Sequence, residues 1–321
     1  LWGMAHSLLD ILNKHFQDAL DLSKAQSGLV QASAYGAYFL MAIPAGLVAR
    51  KFGYKKGVLL GLLLFAIGCF WFVPAVGINK FWAFLLGLLV IFSGLTFLET
   101  VANPYTTVLG DPKYAASRIN LAQTFNSFGA IIAVVFGQSL ILSNVPHQSQ
   151  DVLDKMTPEQ LSTYKHSLVL SVQTPYMIIV AIVLLVALLI MLTKFPTLQS
   201  DDHTDSTQSS FASSLSRLVR IRHWRWAVLA QFCYVGAQTA CWSYLIRYAI
   251  EEIPGMTAGF AANYLTATMV CFFIGRFTGT WLIRRFAPHN VLAIYAFIAM
   301  LLCLLSAFSG GHVGLLALTL C

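Results

Sequence analysis

Between Met177 and Leu192 every side chain is aliphatic or methionine, and runs of this kind recur from one end of the chain to the other. A stretch so long and so uniformly apolar has no polar face to turn toward water, and it lacks the two-residue alternation of a barrel strand. It reads as a membrane-crossing helix. Of the 321 residues 58% are hydrophobic and only 10% charged, which extends that reading to the whole chain. The expected class is an all-α, multi-pass integral membrane protein whose partner along most of its surface is the lipid bilayer.

A helix spanning the ~30 Å hydrocarbon core needs about 20 residues. Divided on that length, the chain gives a partial first span over 1–16, complete spans near 28–48, 57–76, 81–101, 119–141, 175–193, 226–248, 259–283 and 291–308, and the start of another at 313–321. The chain begins and stops inside apolar stretches, so a piece of a longer protein is expected. The long connection after the sixth span opens with a Ser/Thr/Asp-rich segment and closes with Arg217, Arg220 and Arg222. If it is cytoplasmic, alternation places most of the 20 Lys and Arg on that side, as the positive-inside rule requires. The net charge of +7 is then a matter of topology, and nucleic acid is not an expected partner.

A weak repeat appears at a displacement of 234 positions, with Arg50 set against Arg284. Ser23 and Thr257 each offer an N-cap to a span, and the spans end in matching basic turns, Arg50-Lys51-Phe52-Gly53 and Arg284-Arg285-Phe286-Ala287. Two parallel halves joined by a long linker describe the major facilitator architecture, with a substrate site near the midplane. On this reading 1–195 is an N-terminal half of six helices, 196–223 a cytoplasmic linker, and 224–321 part of a second half, from the seventh helix to the start of the tenth. The turn from Gly46 to Lys56 resembles the G-x-x-x-D-R-x-G-R-K signature of that superfamily, except that Arg50 stands where most members have Asp. Arg50, Lys51, Arg284 and Arg285 are therefore candidates for a structural or gating role.

Among the ionisable groups, three stand out for lying within the membrane region: Asp10, Glu99 and Arg276. A charge at the bilayer centre costs at least about 2.5–3.5 kcal/mol, so each needs a reason. Removal from water favours the protonated form of a carboxyl, which is the property a proton-coupled carrier needs. Glu99 and Asp10 are the candidates for it; Arg276, near a helix end, suits a structural or gating role. Glu99 and Asn103 share a helix face, and Asn120, Gln123 and Asn126 repeat at intervals of three along another span. Amides offer a donor and an acceptor together, which matches vicinal sugar hydroxyls, although they also join helices to one another. Trp2 and Trp242, on spans related by the repeat, supply rings for stacking on a sugar face.

The stretches Phe97 to Tyr105 and Leu121 to Gly129, with Val172-Gln173-Thr174-Pro175 and Trp226 to Trp242, resemble the fucose-galactose-glucose proton symporters of the major facilitator superfamily. The resemblance implies a proton-driven symporter of the bacterial inner membrane that imports L-fucose or a similar monosaccharide. Glu99 and Asp10 take the positions of its coupling carboxylates; Gln123, Asn126, Trp2, Trp242 and Asn103 take those around the sugar. Family members carry Asn just before the first-helix Asp, where this chain has His6, Ser7 and Leu9. Glucose/galactose transport, an uncoupled uniporter and a sugar-binding receptor are the alternatives. No cofactor is expected beyond the coupling proton, and no metal: the six cysteines show neither a disulfide framework nor zinc spacing, and read as buried fillers. The eight histidines are scattered and no nucleophile or phosphate-loop motif occurs, so no enzymatic activity is expected. A monomer is expected.

Overall fold

The computed structural model describes residues 3–6, 23–137, 156–171, 173–195, 211–256 and 258–321. Among them there is no strand. Residues 3–6 form a helical turn, and the helices that follow are α1 (Lys24–Phe52), α2 (Tyr54–Phe70), α3 (Phe72–Ile78), α4 (Phe81–Val108), α5 (Ala115–Gly137), α6 (Pro158–Ser171), α7 (Gln173–Leu192), α8 (Phe211–Arg220), α9 (Arg222–Glu252), α10 (Ala258–Arg285), α11 (Pro288–Ser309) and α12 (Gly311–Leu320). Six of them, with α2 and α3 counted as one path over Tyr54–Ile78, are long and apolar enough to cross a membrane. Of the expected complete spans, α5 and α9 are long enough at 23 and 31 residues but carry polar side chains.

The chain divides into two compact units, Leu1–Pro196 and Thr197–Cys321. In the first unit α4 is the central helix, lying against α1, α2 and α5. Between α2 and α4 the backbones come unusually close. A Cβ added at Gly94 would stand 2.5 Å from the Phe65 nitrogen and 2.6 Å from the Gly61 carbonyl oxygen, so nothing larger than glycine fits the crossing. Small residues of this kind give membrane helices the close packing that lipid, itself apolar, does not otherwise favour. Around the crossing Leu62, Phe65, Phe84, Leu88 and Phe92 are fully buried, and Phe72 lies flat on Tyr176 of α7 at 4.0 Å.

The ends of these helices are fixed by polar groups. Ser23 closes a capping box with Gln26 at the start of α1, as its position in the sequence predicts. Thr257, its counterpart in the repeat, lies outside the described residues. Helices α1 and α10 both finish on a basic pair, Arg50–Lys51 and Arg284–Arg285, and the chain leaves α1 through Gly53 at φ 85°, a conformation glycine adopts without strain. Lys55, just beyond, donates from Nζ to the carbonyls of Met191 and Thr193 at 2.8 Å each, capping the end of α7.

The second unit has a smaller apolar cluster, Leu245, Ala249, Ile253, Ala261 and Leu315, where α9, α10 and α12 meet.

Candidate functional site

Half-buried Glu99 lies on α4 two residues past the buried segment from Ile91 to Phe97. Tyr38 of α1 brings its hydroxyl close to the Glu99 carboxyl. The same hydroxyl is 3.1 Å from Nε2 of His6, whose ring stacks over Tyr38 at 5.7 Å and meets Phe92 edge-on at 5.2 Å. A carboxyl, a phenol and an imidazole thus form a chain across three segments. A hydroxyl can donate in one direction and accept from the other, so the direction of hydrogen bonding along this chain depends on which end carries the proton.

One turn further along α4, Asn103 Oδ1 accepts from Nε2 of Gln123 at 3.0 Å, joining α4 to the amide stripe of α5. Pro104 follows directly, and its missing N–H leaves the Thr100 carbonyl without the usual helical donor. Further along α5, Asn126 faces the first helical turn: a side chain at Gly3 would collide with its backbone carbonyl and its Oδ1. Asn126 Oδ1 and Ser127 Oγ are buried with no hydrogen-bond partner among the described residues. Such atoms are exceptions in folded proteins, and the Asn126 oxygen is closed off by the Gly3 backbone.

Glu99, Asn103, Gln123 and Asn126 are therefore brought into one neighbourhood of α4 and α5. Asp10 and Trp2 lie outside the described residues. In the second unit Trp242 of α9 meets Phe272 of α10 edge-on at 5.2 Å, and the Arg276 guanidinium sits 4.5 Å above that same ring. Tyr234 of α9 lies within hydrogen-bonding reach of Arg276. Trp242, Phe272 and Arg276 thus form one cluster, in which the charge rests on the face of Phe272. Among the basic pairs, Arg50 is exposed, Lys51 reaches over Phe52 at 5.3 Å, Arg284 is exposed, and Arg285 lies over Trp281 at 4.3 Å.

Sequence reasoning passed over three residues. Tyr38 carries no pattern of its own among 12 tyrosines. His6 drew notice only as a replacement in the polar run. Arg118 gave no signal beyond its charge, yet its guanidinium binds the Thr106, Thr107 and Asp111 carbonyls at 3.1, 2.9 and 2.8 Å, locking the turn between α4 and α5. The cysteines need a correction. Cys69 is a buried filler, but Cys233 and Cys321 are exposed, and Cys241, Cys303 and Cys321 converge. Cys241 lies on a helix far from Cys303 and Cys321 in sequence, so the three give no ligand spacing to recognise.

The chain matches the Major Facilitator Superfamily over residues 2–321. It is 73% identical over 321 residues to the L-fucose-proton symporter of Escherichia coli (strain K12), a match covering all of this chain and 73% of that protein. To the L-fucose-proton symporter of Haemophilus influenzae it is 35% identical, over 100% of this chain and 75% of the relative. To the glucose/galactose transporter of Brucella abortus it is 32% identical, over 98% and 72%. Among solved structures it is similar to a Major Facilitator Superfamily transporter, FucP, in the outward conformation, with a TM-score of 0.92 at 73% identity over 100% of this chain and 77% of that one.

Proposed function

The chain belongs to the Major Facilitator Superfamily, and on that premise we propose that it is a proton-coupled symporter that imports L-fucose by alternating access. Its relatives are transporters, and it is a membrane protein of the major facilitator fold. The observation that carries the reading is the neighbourhood on α4 and α5: a half-buried carboxyl within two turns of an amide pair that joins the two helices. The likeness to the L-fucose-proton symporter of Escherichia coli supports the sugar and the coupling ion.

Glu99 is the proton carrier, with Asp10 as the second coupling carboxylate. Its protonation removes a charge from an apolar setting, which lowers the cost of exposing the loaded site to the other side of the membrane. Tyr38 then passes the change to His6: its hydroxyl donates to an ionised Glu99, and when Glu99 carries the proton it accepts from the carboxyl and donates to the imidazole. Gln123, Asn126 and Asn103 read the sugar hydroxyls, and Trp2 and Trp242 present rings to its C–H face. Arg276 holds Phe272 and so orients Trp242; Arg50, Lys51, Arg284 and Arg285 anchor the basic turns at the headgroups. Residues 1–195 form the first transmembrane half, 196–223 a cytoplasmic linker and 224–321 part of the second half, in a monomer of the inner membrane.

The test uses the full-length protein in de-energised cells. L-fucose should make the medium transiently alkaline; Glu99→Gln should abolish that signal while sugar binding persists, and Tyr38→Phe should slow it with binding unchanged. Uptake indifferent to collapse of the proton gradient overturns the coupling, and a sugar panel that prefers glucose or galactose overturns the substrate.

A further inference from the structure

Cys241 on α9, Cys303 on α11 and Cys321 at the end of α12 bring three sulfurs within 4.8 Å of one another, with Sγ of Cys303 and Cys321 3.4 Å apart. The Cys321 thiol also donates to the Ala299 carbonyl at 3.6 Å. The convergence is held by contacts that do not involve sulfur. Tyr248 of α9 donates its hydroxyl to the Ser306 carbonyl of α11 at 3.0 Å, and a side chain at Gly314 of α12 would overlap that hydroxyl. The Glu252 carboxylate accepts from the Gly311 N–H at 3.4 Å at the start of α12. Three helices are thus pinned around three thiols.

An atom bonded to three sulfurs at about 2.3 Å sets them about 3.3 Å apart in a right-angled pyramid and about 4.0 Å apart in a plane. The thiols need only close slightly around such a centre. Charge selects what that centre is. A divalent cation on three thiolates leaves one negative charge among apolar helices, where an uncompensated charge is costly. A trivalent metalloid leaves none.

We propose that Cys241, Cys303 and Cys321 form a trithiol site for trivalent arsenic, entering as neutral As(OH)3. At each sulfur one S–H and one As–O bond break, one As–S bond forms, and the thiol proton leaves with the hydroxyl as water. Three such exchanges release three waters, with no change of oxidation state and no net proton. The product cross-links α9, α11 and α12 one residue from Trp242. This site does not depend on the transport reading.

The test adds arsenite to the intact protein in detergent and maps maleimide labelling by peptide mass. One arsenic should bind per chain, Cys241, Cys303 and Cys321 should be shielded together while Cys233 and Cys271 are not, and a dithiol chelator should restore labelling. Cys241→Ser, Cys303→Ser and Cys321→Ser should each raise the arsenite needed for half-shielding at least about tenfold, because a tridentate site loses its chelate advantage. Cys233→Ser and Cys271→Ser should not. Unfolding temperatures of the variants separate lost binding from lost fold, and the chelator arm needs no variant. An absent adduct, shielding unchanged in the three variants, or a Cys303–Cys321 disulfide in the purified protein overturns the proposal.

Discussion

Helices α4 and α9 both carry residues assigned to the transport site, yet they hold them in different ways. From Ala83 to Val101 α4 buries a side chain at nearly every turn, whereas α9, the longer helix, buries only Leu245 and Ala249. On α4 Asn103 is positioned by a hydrogen bond from Gln123 of the neighbouring helix, and Glu99 lies close to the Tyr38 hydroxyl of another. On α9 the aromatic Trp242 is positioned by an edge-on contact with Phe272, whose face carries the Arg276 guanidinium. A hydrogen bond fixes direction, as proton transfer and hydroxyl recognition require; a ring contact fixes a plane and tolerates sliding, which suits a stacking surface.

The sharpest way to break this contrast is to overfill each helix. Gly94→Leu on α4 should destabilise the protein by about 3 kcal/mol or prevent its assembly, because backbone atoms of α2 occupy the space. Gly236→Leu on α9 meets nothing within 4 Å and should change the unfolding temperature little. Equal effects would remove the distinction.

Next in size is loss of a directed bond. Asn103→Leu strands the Gln123 amide and should cost about 1–3 kcal/mol of sugar affinity, read by calorimetry as a rise in Kd of about 5- to 150-fold. Trp242→Ala removes a surface and a ring contact worth about 0.5–1.5 kcal/mol, so its rise in Kd should be smaller, and Trp242→Phe should recover part of it. A larger loss at Trp242 than at Asn103 would reverse the ranking of the two helices. The smallest effect belongs to Lys55→Met, which uncaps α7 and should lower stability by about 0.3–1 kcal/mol in thermal unfolding without altering sugar affinity.

Much of the architecture is legible from the residue pattern. Apolar runs locate the helices because lipid leaves the backbone no other way to satisfy its hydrogen bonds. Ser23 and Gln26 mark the start of α1, since a capping box is a local motif. Glu99, Asn103 and Gln123 stand out because polar groups in lipid need partners, and α4 and α5 do bring the last two together. Tyr38 is not legible in this way: a tyrosine suits a membrane helix in many roles, and only the packing of α1 on α4 turns its hydroxyl toward both His6 and Glu99.

The sequence by itself determined the class of molecule, the positions of its most apolar helices and the few charges that require explanation, because hydropathy and local capping act within one helix. The tertiary structure alone decided which side chains meet across helices. Arg118 closing the turn after α4, Phe272 lying between Trp242 and Arg276, and three thiols converging from α9, α11 and α12 all depend on where separate helices cross. Those crossings are set by glycines and by shape at distant positions, whose partners no spacing along the chain reveals.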